Sequence, residues 1–403
     1  LSPFEDSFIR TNHEQDMLIR IRTVANRHIE GARLADEKNE LNSALISDLL
    51  EEGYHTYSVP NEYGGNPISL PFFLMCQEQI AMVDGPAALA IGWHHITMFN
   101  LAFHRHWNES VFHSLCKDVI KKQALINAAD SESATGSPSR GGKPQTKARR
   151  GSHGYILNGR KTFTSLSTAL SYFIVSAMDE DTGEVSEYLI HRDMRGVSIE
   201  PTWNMAGMRG TASHDLVLKE VLLPEHALVF HRPPKPTGIP NVYLLNIPAV
   251  YLGIAQAARN EAVRFAASYQ PNSLTHPILE LPHIQQKLGQ IELELTTARH
   301  LLYSVAERVE RLGPSPAKDH LQQIAPDLGA AKVVAVQTAL SVVDIAMRIT
   351  GVHSLSMNSP LQRYYRDVRF GLHNPPMDDV VLGQLAKRSI TKHSAEYSSK
   401  SEA

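Results

Sequence analysis

Cysteine is nearly absent from this chain, with two in 403 residues, Cys76 and Cys116, each in an apolar helical context. That scarcity excludes a disulfide framework and points to buried, reduced thiols in a cytosolic protein. Metal-ligand patterns are also missing. Histidine is plentiful at 20, yet there is no HExxH, no CxxC and no His pair backed by carboxylates at ligand spacing, so no metal is placed. Neither sign of charge is in excess: 39 basic against 42 acidic residues, net −3, which leaves no global basic field to hold nucleic acid or an anionic membrane. No run of about 18 apolar residues occurs, so no membrane span is expected. Leu1 to Arg10 lacks a basic-then-apolar segment and does not read as a secretory signal.

What is present is ordinary for a globular chain: 42% hydrophobic and 20% charged residues, on a length that supports several packed layers. Three zones differ in period. Residues 1–120 read as helical, over Gln15 to Ala35, Ala44 to Glu52, Leu70 to Met82 and Ala87 to Phe103, with a turn cluster at Val59 to Pro67. Residues 121–230 read as a mostly antiparallel β domain. Gly154 to Gly159 is a short strand ending in an Asn-Gly turn, followed by Lys161 to Ser165. Leu170 to Ala177, Val185 to His191 and Asp215 to Leu223 are further strands. Residues 241–393 return to helix. Ile284, Leu288, Ile291, Leu295, Ala298, Leu302, Val305 and Val309 form one apolar stripe stopped by Gly313-Pro314, and Ala330 to Ile349 is a second long helix, which together predict a four-helix bundle. His231 to Pro236 reads as a rigid connector, Lys143 to Arg150 as a solvated basic loop, Arg366 with Asp367 as an ion pair or helix cap, and residues 394–403 as a frayed tail. The fold class is α+β: an N-terminal helical domain, a middle antiparallel β domain and a C-terminal four-helix bundle.

Four blocks in order carry a resemblance. Gly53 with Val59-Pro60-Asn61-Glu62-Tyr63-Gly64-Gly65, Gly154-Tyr155-Ile156-Leu157-Asn158-Gly159-Arg160-Lys161-Thr162-Phe163, Met208-Arg209-Gly210-Thr211-Ala212-Ser213 with Val221 to Pro224, and Pro360 to Arg369 resemble the corresponding segments of acyl-CoA dehydrogenases. The resemblance implies a flavin-dependent oxidoreductase holding FAD (or FMN). It places Phe163 as an aromatic wall against the flavin ring and Ser165 near flavin N5. Asn127, Ala129 and Ser131 fall in the segment that contacts the ring, although the family's usual "TEPxxGSD" is not kept here. It further implies oxidation of an acyl-CoA-like substrate at Cα–Cβ with hydride transfer to N5, a homotetramer, and a redox partner such as an electron-transfer flavoprotein.

The chain departs from that pattern at the base. The family's catalytic Glu should follow the "RDxR" block, and this chain has Phe370-Gly371-Leu372-His373-Asn374-Pro375-Pro376 there, with Tyr243 at the alternative position. His373 or Asp378 is then the substitute base. Two segments that support FAD are altered as well: Gln270 to Pro277 lacks an Arg, and Arg348 to Ser354 keeps one glycine. These departures are similar to the flavin monooxygenase branch that includes the dibenzothiophene desulfurisation oxygenase. For that branch the expectation is reduced flavin from a separate flavin reductase, O2, a small apolar substrate, and His95, Ser165 and His373 around the reacting flavin. His94, beside His95, is a weaker candidate. A third reading is an inactive binding or assembly protein on the same fold.

Overall fold

The computed structural model of the chain describes residues 3–135, 142–233, 238–313 and 316–401. Pro234 to Pro236 of the expected connector, and Pro314 of the expected helix stop, lie outside these. The chain divides into two compact units, Leu1–Thr237 and Gly238–Ala403.

In the first unit the helices are α1 (Pro3–Asp6), α2 (Asn12–Asn26), α3 (Ile29–Lys38), α4 (Ser43–Glu51), α5 (Leu70–Ala81), α6 (Gly85–His104) and α7 (Glu109–Lys122). Local chemistry sets their ends. Ser69 and Asp84 accept from the backbone N–H groups of Phe72 and Ala87 to start α5 and α6, each followed by a proline in the first turn. Every residue of α5 is buried, so it is an internal helix. The single helix expected over Gln15 to Ala35 is two helices. His28 leaves helical dihedrals at φ −109° and ψ 19°, and its Nε2 lies 2.8 Å from Asp48 Oδ2. Cys76 and Cys116 are buried free thiols on α5 and α7.

The strands are β1 (Ile126–Ala129), β2 (Lys147–Gly151), β3 (Gly154–Thr164), β4 (Tyr172–Asp179), β5 (Val185–His191), β6 (Val197–Glu200), β7 (His214–Pro224) and β8 (Leu228–His231). Among the described residues they form one sheet in the order β6-β7-β3-β2-β4-β5-β8, with β1 on β4. The sheet is mostly antiparallel, as expected, with β1 and β2 running parallel to β4. The expected Asn-Gly turn, Asn158-Gly159, is instead a bulge inside one continuous strand, with the β3–β7 register shifting between Leu157 and Gly159. Glycine is required there by close approach: a Cβ on Gly159 would sit 2.3 Å from Thr146 Oγ1. The basic stretch expected as a loop is partly β2, and its charges are paired: Lys147 with Glu180, Arg149 with Glu220 and Arg150 with Glu225.

Helices and sheet of this unit are stitched at several points. Ile126 N–H donates to His94 Nδ1 at 3.2 Å, and Arg209 Nε donates to the Asp36 carbonyl at 2.7 Å. Gly210 lets the backbone pass close to Glu40 and Pro86, where a Cβ would meet both at 3.3 Å.

The second unit is α8 (Asn246–Ser268), α9 (Pro282–Glu310), α10 (Lys318–Thr350), α11 (Pro360–Val368) and α12 (Asp378–Ser401). The α9 stripe is buried from Ile284 through Val309, with Leu288 half-buried. Helix α10 begins well before the expected Ala330 and carries Pro326 inside it, because buried Leu321, Ile324 and Leu328 extend its apolar face. By length and composition α10 could cross a membrane, contrary to expectation. Its buried Lys332, paired with Asp378 at 2.9 Å, and its packing between α8 and α9 identify it as the core helix of the bundle. The residues expected to fray continue α12 to Ser401. Arg366 donates from Nε and Nη2 to Gln362 Oε1 one turn back.

Candidate active site

The end of β3 is where regular structure stops and strain begins. Phe163, Leu166, Met208 and Ala212 all have positive φ, between 46° and 64°, a region that costs a non-glycine residue roughly 1–2 kcal/mol each. The four lie on two facing segments held together by backbone bonds, Leu166 N to Thr211 O at 2.9 Å and Ser167 N to Ala212 O at 3.2 Å. Ser167 Oγ adds a 2.7 Å bond to the same Ala212 carbonyl. The strain has a visible product. Phe163 is 55% exposed, a flat apolar face presented to solvent on a fixed backbone. Trp203 meets it edge-on at 5.9 Å between ring centroids. Trp203 is itself fixed, its Nε1 donating to the Met208 carbonyl at 3.0 Å.

Short polar groups surround this plate. Ser165 Oγ is 2.8 Å from Ser213 Oγ, and Ser165 O accepts from Asn127 Nδ2 at 3.2 Å. The Ser131 carbonyl accepts from Thr162 N at 2.8 Å. Ala129 is buried in β1 opposite Val175. The structure thus brings Asn127, Ser131, Phe163 and Ser165 together. Beneath them lies a buried ion pair, Lys161 Nζ to Glu132 Oε1 at 2.6 Å, with side chains 0% and 3% exposed. Thr146 and Ser176 complete its hydrogen bonds. Burial pushes the Glu132 carboxyl up, but the bonds from Lys161 and Thr146 outweigh it and hold it below the ordinary carboxylate range. Burial draws the Lys161 ammonium below its usual value. The pair clamps the Asp130–Glu132 segment onto β3 directly before Phe163.

An exposed aromatic plate rimmed by small hydroxyl, amide and backbone groups fits a flavin ring, which needs an apolar wall and hydrogen bonds along its polar edge. Phe163 and Ser165 would hold it from one side, with Asn127 and the Ser131 segment bracing them.

The two candidate histidines of α6 differ. His94 is committed to structure. Its Nε2 donates to the His55 carbonyl at 3.0 Å and its Nδ1 accepts from Ile126 N, which fixes one neutral tautomer. Burial pulls it down to about 4. His95 is fully buried among Tyr54, Phe73 and Phe99, with ring centroids 4.5, 5.2 and 6.3 Å away. Its Nδ1 lies 3.0 Å from Ser58 Oγ, its Nε2 has no partner, and burial followed by the neighbouring His94 and His55 holds it neutral.

In the second unit His373 is exposed. Its segment is anchored by the hydrogen bond from the buried Tyr251 hydroxyl to Asn374 Oδ1 and by Gly371, where a Cβ would meet Val336 at 2.8 Å. Asp378 is taken up by Lys332. Sequence reading assigned no role to Trp203, Tyr251 or the Glu132–Lys161 pair. The paired charges were legible only as separate letters 29 positions apart.

Comparison with known proteins agrees with the fold. Sequence profiles described as the acyl-CoA dehydrogenase N-terminal, middle and C-terminal domains match residues 11–110, 127–221 and 245–374. YdbM of Bacillus subtilis (strain 168), provisionally named an acyl-CoA dehydrogenase, is 45% identical over 95% of this chain and 99% of its own length. Among solved structures, butyryl-CoA dehydrogenase from Megasphaera elsdenii superposes with a TM-score of 0.83 at 21% identity, covering 95% of this chain and 99% of that one. FMN-bound TdsC from Paenibacillus sp. A11-2 superposes at 0.81 and 22%, covering 92% and 95%. The chain belongs to the acyl-CoA dehydrogenase family of flavoprotein oxidoreductases.

Proposed function

We propose that the protein is a flavin-dependent monooxygenase that takes reduced FMN or FAD from a separate flavin reductase and oxygenates a small apolar substrate. The observation that carries this reading is the missing base. Dehydrogenation of a thioester needs a carboxylate to remove the α-proton. No carboxylate occurs from Phe370 to Met377, and the first one after it, Asp378, is bound to the buried Lys332 ammonium at 2.9 Å. The reduced flavin would supply the oxygen-activating chemistry. The protein's own part is to hold the ring against Phe163 and to offer Ser165 at its edge. By resemblance to the monooxygenase branch, His373, on a segment braced by Tyr251 and Asn374, would serve as a proton donor or acceptor. His95, neutral and buried behind Ser58, would shape the site from within α6. TdsC, similar in fold, is solved with FMN and with indole, which supports FMN and an apolar substrate as the first combination to test.

Dehydrogenation of an acyl-CoA, with His373 as base and an electron-transfer flavoprotein as acceptor, is the second reading. The 45% identity to a protein named for that activity favours it. A homotetramer is proposed under either reading, and the exposed Val352, Leu355 and Met357 of the second unit supply apolar surface for it.

One experiment separates the readings. The flavin-loaded protein is mixed anaerobically with acyl-CoAs of varied length, and separately the reduced-flavin form is mixed with labelled O2 and indole. The oxygenase reading expects no loss of flavin absorbance with any acyl-CoA and label incorporated into product. Thioester-dependent bleaching without incorporation would replace it with the dehydrogenase.

A further inference from the structure

Ser165 does not stand alone. Its hydroxyl is the outer end of a buried chain: Ser165 Oγ to Ser213 Oγ at 2.8 Å, Ser213 Oγ to Thr211 Oγ1 at 2.8 Å, and Thr211 Oγ1 to the Met208 carbonyl at 2.9 Å. The three side chains belong to residues 9%, 5% and 1% exposed. Each hydroxyl has one proton and two lone pairs, so the chain has two self-consistent arrangements. In the first, Thr211 donates to Met208 O, Ser213 to Thr211 and Ser165 to Ser213. Ser165 then offers only lone pairs outward. In the second, Thr211 donates to Ser213 and Ser213 to Ser165, and the Ser165 proton is free to donate outward. The second leaves the Met208 carbonyl without Thr211 Oγ1, but that oxygen keeps Trp203 Nε1 at 3.0 Å and Thr211 N at 3.2 Å. The arrangements interconvert by rotating three C–O bonds. Every proton stays on its own oxygen, and no charge moves.

A flavin N5 is a bare acceptor in the oxidised ring and an N–H donor in the reduced ring. We infer that the Ser165–Ser213–Thr211 chain is a reversible hydrogen-bond partner for that atom, donating to the oxidised ring and accepting from the reduced one. Ser213 and Thr211 are positioning residues that set the balance and hence the potential of the bound flavin. This rests on the placement of flavin at Phe163 and Ser165 proposed above. The surrounding backbone suits the role. Asn127 fixes the Ser165 carbonyl and the Phe163 carbonyl accepts from Ser165 N at 2.9 Å, so the hydroxyl rotates on a fixed anchor.

The direction of the effect follows from proton counting. In Thr211→Val, a Ser165 that donates inward leaves the Ser213 proton without an acceptor, so the outward-donating arrangement is favoured. In Ser213→Ala, the Ser165 proton has no inward acceptor at all. Both variants therefore favour oxidised flavin. One hydrogen bond is worth about 1 kcal/mol, so the ratio of oxidised to reduced affinity shifts roughly fivefold to tenfold. A tenfold shift is a fall of about 30 mV for a two-electron couple. Thr211→Ser keeps the hydroxyl and restores the original ratio.

The test measures dissociation constants of oxidised and dithionite-reduced FMN and FAD, anaerobically, for the full chain and the three variants, with thermal melts alongside. The expected result is a selective gain for the oxidised flavin in Thr211→Val and Ser213→Ala, absent in Thr211→Ser. Equal weakening of both redox forms, or an unchanged ratio, overturns the inference and leaves the flavin site standing. Failure of the unaltered protein to bind either flavin removes the site and the inference together.

Discussion

The two units of this chain differ in which polar groups they bury and in how regular their backbones are. The first unit buries Lys161 with Glu132, Asn127, and the histidines His55, His94 and His95, and it places Phe163 and three nearby side-chain-bearing residues, Leu166, Met208 and Ala212, at positive φ. The second unit is periodic. It also buries polar groups, Asn246, Gln256, Lys332, Arg363 and Asp367, but Lys332 pairs with a carboxylate that is 30% exposed, and His276, His283, His300, His320, His353 and His373 lie at or near the surface. Burying charged groups is costly unless they are paired, so the first unit depends on the Lys161–Glu132 pair. That pair joins the Asp130–Glu132 segment to β3 two residues before the exposed ring of Phe163. The second unit is built largely from stripes of aliphatic side chains, and its Lys332 pair reaches solvent through Asp378.

The sharpest way to test this contrast is to break one pair in each unit. Lys161→Met leaves Glu132 charged and buried, and should cost about 3–5 kcal/mol, read as a lower midpoint in denaturant unfolding. Acidification should separate the units next. His94 and His55 are held neutral with values of about 4 by burial, while an unfolded chain binds those protons near 6.5. Stability is therefore present above about pH 6.5 and is lost as the pH falls toward 4, by up to about 1.4 kcal/mol per pH unit for each group. For His94 the cause is visible, since a proton on Nδ1 would face the Ile126 N–H. Hydrogen exchange corrected for intrinsic rate should show α6 losing protection between pH 7 and 5 before α9 and α10. Equal loss in both units would break the comparison.

Smaller effects refine it. Phe163→Gly relieves the positive φ and should leave the fold as stable or up to about 1 kcal/mol more stable, yet flavin affinity should fall at least about tenfold, by titration of FMN and FAD. A gain in stability together with a loss of binding is the signature of strain kept for function. Last, Lys332→Met should cost only about 1 kcal/mol, because Asp378 can regain water and sits in the first turn of α12, where a carboxylate is favoured.

The same contrast explains what the sequence could tell. The bundle was legible because Ile284 to Val309 repeats at helical spacing, and repetition is what a linear pattern displays. Its misjudged start, at Lys318 rather than Ala330, came from Pro326, which local propensity reads as a break and tertiary packing overrides. In the first unit the resemblance named Phe163, Ser165, Asn127 and Ser131, which lie near one another at the end of β3. The unit was illegible where contacts join distant letters. Glu132 with Lys161, Trp203 against Phe163, and His94 with Ile126 have no periodic mark. Asn158-Gly159 carried a turn's signature, yet close approach of Thr146 to a continuous strand is what demands the glycine.

Everything about the site turns on the ring at position 163. A crystal structure of the protein with FMN or FAD decides it most directly: the account predicts the isoalloxazine packed face-on against Phe163 with its N5 edge toward Ser165. Flavin bound elsewhere, or the Phe163 face covered by protein atoms with no space for the ring, would contradict it.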